Sequence, residues 1–155
     1  MADGAQVEIQ YKQRDGGVDG VRKRTKDGAL KVGLVAGLGE HPNSDDGTTI
    51  PEVGAINEFG LGVPERSFIR STIAENISKY NRLRRELLAG IINGKTTSAK
   101  AVAILGEELK KDIQAKIVAM SDPPNSDETA DRKGSNSPLI DTGTMRQSIQ
   151  WESVK

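Results

Sequence analysis

Apolar residues recur every three or four positions along two long segments of the chain, which Asn93-Gly94 separates. The first stripe comprises Ile69, Ile73, Ile77, Tyr80, Leu83, Leu87 and Ile91, and the second comprises Val102, Leu105, Leu109, Ile113, Ile117 and Met120. This spacing places apolar side chains along one face of an α-helix. The pattern predicts two long helices, the first beginning near Ser67 and the second ending before Pro123-Pro124. Their connection is short enough to make them antiparallel neighbours.

Alternation of apolar and polar residues, which is typical of a half-buried strand, occurs at residues 7–11 and 29–35. Asp27-Gly28 predicts a tight turn that pairs residues 21–25 with the second of these strands, because glycine accepts the positive φ of such turns. A final strand is predicted from Gln150 to Val154, anchored by Trp151. The predicted fold class is therefore α+β, with a small antiparallel β-sheet packed against the long antiparallel α-helical hairpin in a single domain, residues 1–155.

The connecting segments are rich in Gly, Pro, Ser, Asn and Asp. Residues 37–49 and 121–138 lack an apolar period, so we predict flexible loops in both places. Between them, Pro51 suits the first turn of a short helix from Glu52 to Phe59, which Gly60 ends. A second short helix is predicted near the C-terminus, capped by Asp141 or Thr142 and running to Ile149.

The composition excludes several kinds of site. The chain has no cysteine, which rules out disulfides, thiolate nucleophiles, zinc knuckles and iron-sulfur ligation, and which fits a reducing cytoplasm. Lys and Arg number 22, as do Asp and Glu, so the net charge is zero, whereas dedicated nucleic-acid binders usually carry a basic excess. No run reaches the roughly 20 apolar residues of a membrane span, and the first residues do not resemble a secretion signal. We expect no membrane association.

Motifs for catalysis or cofactor binding are weak. The only histidine, His41, lies in a polar loop, and the acidic residues around it lack the spacing of a calcium loop. Phosphate-binding glycine loops are missing from the sequence. We therefore predict a protein that is not an enzyme, with no catalytic residue, metal or cofactor. A small hydrolase that depends on His41 is the weakest of the alternatives.

Two segments of the sequence are more informative about function than the composition or the isolated motifs. The first is Val53-Gly54-Ala55-Ile56-Asn57-Glu58-Phe59-Gly60 followed by Val63-Pro64-Glu65-Arg66-Ser67-Phe68-Ile69-Arg70, and the second is Pro138-Leu139-Ile140-Asp141-Thr142-Gly143-Thr144-Met145-Arg146-Gln147-Ser148-Ile149. Together they resemble the neck and tail-completion proteins of tailed bacteriophages, including the family around the minor tail protein Z. The resemblance spans most of the chain, and its specific part covers about residues 50–71 and 138–150.

This resemblance implies a structural virion protein, assembled in the bacterial host cytoplasm. It would form a homo-oligomeric ring, a hexamer or dodecamer, in the neck that joins the DNA-filled head to the tail. Its partners would be the portal or adaptor and the tail terminator or tail tube, and genomic DNA would pass through the lumen without specific binding. The motif residues are Asn57, Glu58, Phe59, Gly60, Pro64, Arg66, Phe68, Arg70, Asp141, Thr142, Gly143 and Arg146.

Roles for the motif residues follow from their chemistry. Phe59 and Phe68 are expected in the core, where they would lock the short helix onto the long one. Gly60 is expected at a positive φ after the short helix, and Gly143 is expected to permit a close approach at the first turn of the last helix. The charged residues leave two possibilities open, local ion pairs or contacts with a neighbouring subunit. They are Glu58, Arg66, Arg70 and Arg146.

Charge segregation suggests a subunit interface. An acidic loop over residues 37–52 could face the basic side of the helical hairpin in the next copy. The candidate interface residues are Glu40, Asp45, Asp46, Arg82, Arg84 and Arg85. The main alternative is a nucleic-acid-binding accessory protein that uses this helix face and a basic hairpin arm. That arm consists of Arg22, Lys23, Arg24 and Lys26.

Overall fold

The computed structural model describes residues 7–10, 29–35, 38–42 and 47–154, with side chains from residue 29 onward. The elements in chain order are β1 (Val7–Gln10), β2 (Ala29–Leu34), α1 (Ile50–Phe59), α2 (Arg70–Ile92), α3 (Ser98–Ala119), α4 (Asp127–Lys133), α5 (Thr144–Gln147) and β3 (Ile149–Val154). The fold is α+β, as predicted. None of the helices in these ranges combines the length and the apolar character that crossing a membrane requires.

The described strands form an antiparallel sheet in the order β1-β2-β3. β1 pairs with one edge of β2, with Val7 opposite Val32, and β3 pairs with the other edge, with Trp151 also opposite Val32. The predicted partner of β2, residues 21–25, lies outside the described residues, as does the basic arm from Arg22 to Lys26. Along β2 itself, β1 and β3 are the neighbours, so the central position of β2 explains why Leu30, Val32 and Leu34 are all buried.

The long helical hairpin is confirmed. α2 begins at Arg70, three residues after the predicted start, and α3 ends at Ala119. α3 lies between α2 and the sheet and packs on both, whereas α2 packs mainly on α3. Burial follows from this order: Leu109 and Ile113 of α3 are fully buried, but Ile77 of the predicted α2 stripe is 49% exposed.

Two glycines let side chains of the sheet pack directly on the backbones of α3 and α1. A Cβ atom on Gly106 of α3 would lie 2.4 Å from Cδ2 of Trp151, so the indole of β3 rests directly on the helix backbone. The same indole donates from Nε1 to Glu107 Oε1 at 2.7 Å. Gly54 of α1 similarly faces Leu34 of β2, where an added Cβ would lie 2.2 Å from Cδ1. Trp151 thus anchors β3, as the sequence predicts.

The connecting segments contain more regular structure than the sequence suggests. Within residues 121–138, where we predict a loop, α4 runs from Asp127 to Lys133, with Ser126 accepting the Thr129 N–H at its start and Gly134 in the left-handed region at its end. That part of the prediction is wrong. In residues 37–49, the His41 N–H donates to the Thr48 carbonyl at 2.9 Å, which closes the described ends of the loop. The flexibility of both segments stays a prediction.

Capping of the short helices follows the sequence only in part. α1 has a capping box, in which the Thr49 N–H donates to Glu52 Oε2 at 2.8 Å. α5 begins at Thr144, and the cap position belongs to Gly143, at φ 79°, rather than to Asp141 or Thr142 as predicted. The Thr142 hydroxyl still accepts the Thr144 N–H at 3.3 Å. The predicted extension of this helix to Ile149 is wrong, because Ile149 is the first residue of β3.

Candidate functional site

The start of α2 needs an acceptor that its own sequence does not provide. The first N–H groups of a helix have no partner within the helix, and the residue at the cap position, Ile69, has an apolar side chain. The carboxylate of Glu58, from the last turn of α1, accepts these N–H groups instead. Its distances are 2.7 Å to Phe68 N, 2.9 Å to Ile69 N and 2.9 Å to Arg70 N. A negative charge is also favoured there by the helix dipole.

Arg70 and Ser67 complete the surroundings of this carboxylate. Arg70 Nε donates to Glu58 Oε1 at 3.0 Å, and the Ser67 hydroxyl donates to the same oxygen at 2.9 Å. The hydrogen bond to Glu58 raises the pKa of the Arg70 guanidinium. Arg70 also bonds to Glu65, and its guanidinium lies 4.7 Å from the centroid of the Phe59 ring. Of the two possibilities left open for Glu58 and Arg70, the structure forms the local ion pair.

The two phenylalanines of the first motif have different environments. Phe68 is fully buried, as predicted, but Phe59 is 45% exposed, so its predicted place in the core is wrong. α1 turns Glu58 into the interior, and its neighbour Phe59 consequently points outward, since successive helix positions lie about 100° apart. Gly60 has φ 67°, which confirms the predicted positive φ. A Cβ there would lie 3.0 Å from the backbone N of Glu65.

Arg66 joins the first motif to the segment that follows α3. Its guanidinium donates to Asn57 Oδ1 at 3.2 Å, to the Pro123 carbonyl at 2.8 Å and to the Pro124 carbonyl at 2.7 Å. The residue is only 6% exposed, and burial lowers its pKa. All three acceptors are neutral, and no carboxylate of the described residues forms a salt bridge with Arg66. Arg66 therefore links α1 to the segment after α3 by hydrogen bonds, and it is also a buried charge.

A cleft of about 960 Å³ opens beside Arg66. Both motifs contribute to it: Asn57, Pro64 and Arg66 come from the first, and Leu139, Asp141, Gly143, Thr144 and Met145 from the second. α5 also packs against α1, so the fold brings the two motifs together. Leu139 and Met145 are buried.

The last arginine of the second motif, Arg146, is exposed, and its carbonyl accepts a hydrogen bond from the Gln114 side chain at 3.1 Å. No described salt bridge involves Arg146.

The segment 123–133 supplies further polar groups to this cleft. Arg132 and Lys133 both line it, and Lys133 Nζ donates to the Ser137 carbonyl at 2.7 Å. Burial lowers the pKa of Lys133, and the charges of Arg66 and Arg132 lower it further while Asp141 opposes them. Asn125 Nδ2 is buried without a hydrogen-bond partner among the described residues. The sequence analysis missed Arg132, Lys133 and Asn125, although Ser126 before Asp-Glu, and Gly134 after Arg-Lys, are helix start and stop signals.

The predicted subunit-interface residues lie apart from the cleft. Arg82 and Arg85 are exposed on α2, Arg84 is half-buried, and Glu40 is exposed beside the cleft residue His41, while Asp45 and Asp46 lie outside the described residues. Part of the predicted basic face is neutralised across the hairpin. Lys79 pairs with Asp112 and Glu108, both at 2.7 Å, and Lys116 pairs with Glu75 at 2.7 Å. The Arg82–Arg85 region keeps its charge, since the salt bridges of the described residues involve other cations.

The described part of the chain contains no cluster of three His, Cys, Asp or Glu residues that could hold a metal ion. Comparisons with protein-family models, with curated proteins and with solved structures find no match to this chain. The site combines an ion pair between the buried Glu58 and the half-exposed Arg70, a basic cleft beside Arg66, and an exposed turn next to them.

Proposed function

We propose that this protein is a structural subunit of a tailed bacteriophage, in which it forms a ring in the neck that joins the head to the tail. The observation that carries the proposal is that Glu58, Arg66 and Arg70, three residues of the motif that resembles tail-completion proteins, hold one turn rigidly at the surface. Buried and part-buried hydrogen bonds fasten both ends of that turn to α1 and α2. The turn between these fastened ends is exposed and is therefore open to contact with a partner.

The turn is unusually apolar for an exposed segment. Phe59 is 45%, Leu61 55% and Val63 37% exposed. Clustered exposed apolar side chains mark interaction sites in many proteins. A rigid apolar turn loses little conformational entropy on docking, which favours its use between subunits. We therefore assign the turn, residues 59–63, to contacts with a neighbouring subunit or with the adjoining layer of the neck.

Identical subunits form a closed ring when one surface of each copy fits a different surface of the next. The separation of charge along the chain suits that arrangement, with Glu40 in the segment before α1 and Arg82, Arg84 and Arg85 on α2. The portal or adaptor would bind one end of the ring, and the tail terminator or tail tube would bind the other. A lumen that lets DNA slide should lack a dense basic lining, because phosphate contacts bind strongly.

The test is quantitative mass spectrometry of purified particles of the source phage, normalised to the portal protein. A ring subunit is expected at about six or twelve copies per particle, in keeping with closed cyclic symmetry. Absence from particles would contradict the proposal. In that case the nucleic-acid-binding alternative takes precedence, and salt-dependent retention of the purified protein on DNA would support it.

A further inference from the structure

Arg66 is a buried cation whose described partners are all neutral. A guanidinium has five N–H donors. Arg66 forms three hydrogen bonds, to Asn57, Pro123 and Pro124. A buried charge normally has a counter-charge, since desolvation without one is costly. At 6% exposure, Arg66 lines the cleft and has no salt bridge to a carboxylate of the described residues. An anion that reached it there would supply the missing charge.

Three further groups around the same cleft favour an anion. Arg132 and Lys133 line it, and the pKa of Lys133 is lowered by burial and by the charges of Arg66 and Arg132, against the opposing effect of Asp141. Asp141 is the single acidic residue among the described lining residues. In addition, the buried Nδ2 group of Asn125 has no acceptor among the described residues. This donor is independent of the charges and would also be satisfied by an incoming oxygen.

We propose that this cleft binds an extended polypeptide segment that carries aspartate or glutamate side chains, supplied by a partner protein. A carboxylate would pair with Arg66 and its neighbouring cations, because guanidinium and carboxylate groups match in geometry. The rest of the segment would lie along the apolar part of the wall, formed by Val53, Ile56, Leu139 and Met145. The inference goes beyond the ring proposal and does not depend on it.

The shape of the cleft favours a peptide over other anions. Its volume of about 960 Å³ is at the upper end of the range for small-molecule sites and far exceeds a free phosphate or sulfate ion. Nucleic-acid phosphates are bound mainly by cations at the surface, whereas Arg66 is almost completely buried. Apolar walls next to a charged base match the alternating side chains of an extended peptide.

The experiment is isothermal titration calorimetry of the full chain at low ionic strength. The probe is an acetylated, amidated hexapeptide of alternating alanine and glutamate, and the matched control replaces each glutamate with glutamine. We expect the glutamine peptide to bind at least about tenfold more weakly, because neutral acceptors form weaker hydrogen bonds with cations. Equal affinities for the two peptides, or no binding of either, would overturn the proposal.

Protein variants locate the binding. Arg66 also supports the fold, so the variant is Arg132→Gln with Lys133→Gln, for which we expect affinity for the glutamate peptide to fall about tenfold. Lys95→Gln with Lys100→Gln removes the same charge from exposed positions that do not line the cleft, and should leave affinity within about twofold. An equal loss in both double variants would overturn the proposal, because it would indicate non-specific attraction.

Other occupants give different results in the same assay. If inorganic phosphate or a short DNA duplex binds to the cleft more tightly than the glutamate peptide, the polypeptide assignment is wrong. The variant Asp45→Asn with Asp46→Asn tests whether the chain supplies its own carboxylates. If only that variant binds the glutamate peptide, the occupant is intramolecular and the partner assignment is overturned.

Discussion

The carboxylate of Glu58 accepts the backbone N–H of Phe68 at 2.7 Å, ten residues further along the chain. This contact closes the exposed turn of residues 59–63 and places a full negative charge at the start of the 23-residue helix α2. The same carboxylate is fully buried, and five donors surround it. Glu58 is therefore the residue on which the geometry of the first motif depends.

Replacing Glu58 with glutamine should destabilise the fold more than any neutral change at a surface acid. The amide keeps the size of the side chain but removes the charge and directs an NH₂ group toward backbone donors. We expect a loss of about 2–4 kcal/mol in the free energy of unfolding, measured by urea denaturation. Glu65→Gln is the matched control, since Glu65 is exposed and pairs with Arg70 at the surface, and it should cost less than about 0.5 kcal/mol. Similar losses in the two variants would contradict this role of Glu58.

Adding a methyl group at Gly106 should reveal the contact between α3 and β3. Gly106→Ala places Cβ against the Trp151 indole, so we expect a loss of about 1–3 kcal/mol from overpacking. In a Trp151→Ala background the obstruction is gone. Alanine should then stabilise the helix interior by about 0.5–1 kcal/mol relative to glycine. Thermal or urea unfolding of the four proteins checks this reversal of sign, and a loss of equal size in both backgrounds would refute it.

Stability should fall at high pH because of Tyr80. Burial, and then its 2.8 Å hydrogen bond to Asp112, raise the pKa of this phenol well above its ordinary value. Above about pH 10 the unfolded chain therefore loses a proton that the folded chain keeps, and stability declines by up to about 1.4 kcal/mol per pH unit. The pKa of Lys79 is also raised, since its bonds to Asp112 and Glu108 outweigh the effect of burial, and it acts in the same direction.

The variant Tyr80→Phe separates the two contributions. At neutral pH it should cost about 1 kcal/mol for the lost hydrogen bond. Above about pH 10 its stability should decline less steeply than that of the wild type, because only the Lys79 contribution is left. Urea midpoints measured across this pH range provide the comparison. Parallel declines in the two proteins would show that Tyr80 does not control the alkaline stability.

Charge reversal should impair assembly if α2 faces an acidic neighbour. For Arg84→Glu with Arg85→Glu, we expect self-association to weaken at least about tenfold at physiological salt, as like charges oppose each other. Sedimentation velocity or native mass spectrometry of the purified protein measures this. Adding Glu40→Arg should restore part of the association if Glu40 is the opposing residue. Unchanged association of the reversed variant would rule out this interface.

Some elements were predictable because their signals are local. The apolar stripe of α3 repeats along 22 residues, and each of its predicted core residues from Val102 to Ile117 is buried. The exposure of Ile77 was not predictable from the same kind of pattern, because it depends on α3 covering only part of α2. The helix at Asp127–Lys133 was missed since it has no apolar face and its caps alone indicate it.

The candidate site was predictable as a set of residues but not as an arrangement. The motif comparison singled out Glu58, Arg66 and Arg70, yet nothing in their spacing shows that Glu58 caps α2 or that Arg66 binds the carbonyls after Pro123. Those partners are 10 to 58 residues apart in the chain. The assignment of Phe59 to the core failed for the same reason, since only the orientation of α1 decides which of two adjacent residues is buried.

The sequence by itself therefore determined the helical hairpin, the apolar strand β2 and the glycine that ends α1, because helix period, strand alternation and positive φ are properties of neighbouring residues. The tertiary structure alone decided that a charged residue is buried where an aromatic one is exposed. Burying Glu58 is tolerable only because donors from a separate helix converge on its carboxylate, and that convergence depends on contacts between distant parts of the chain.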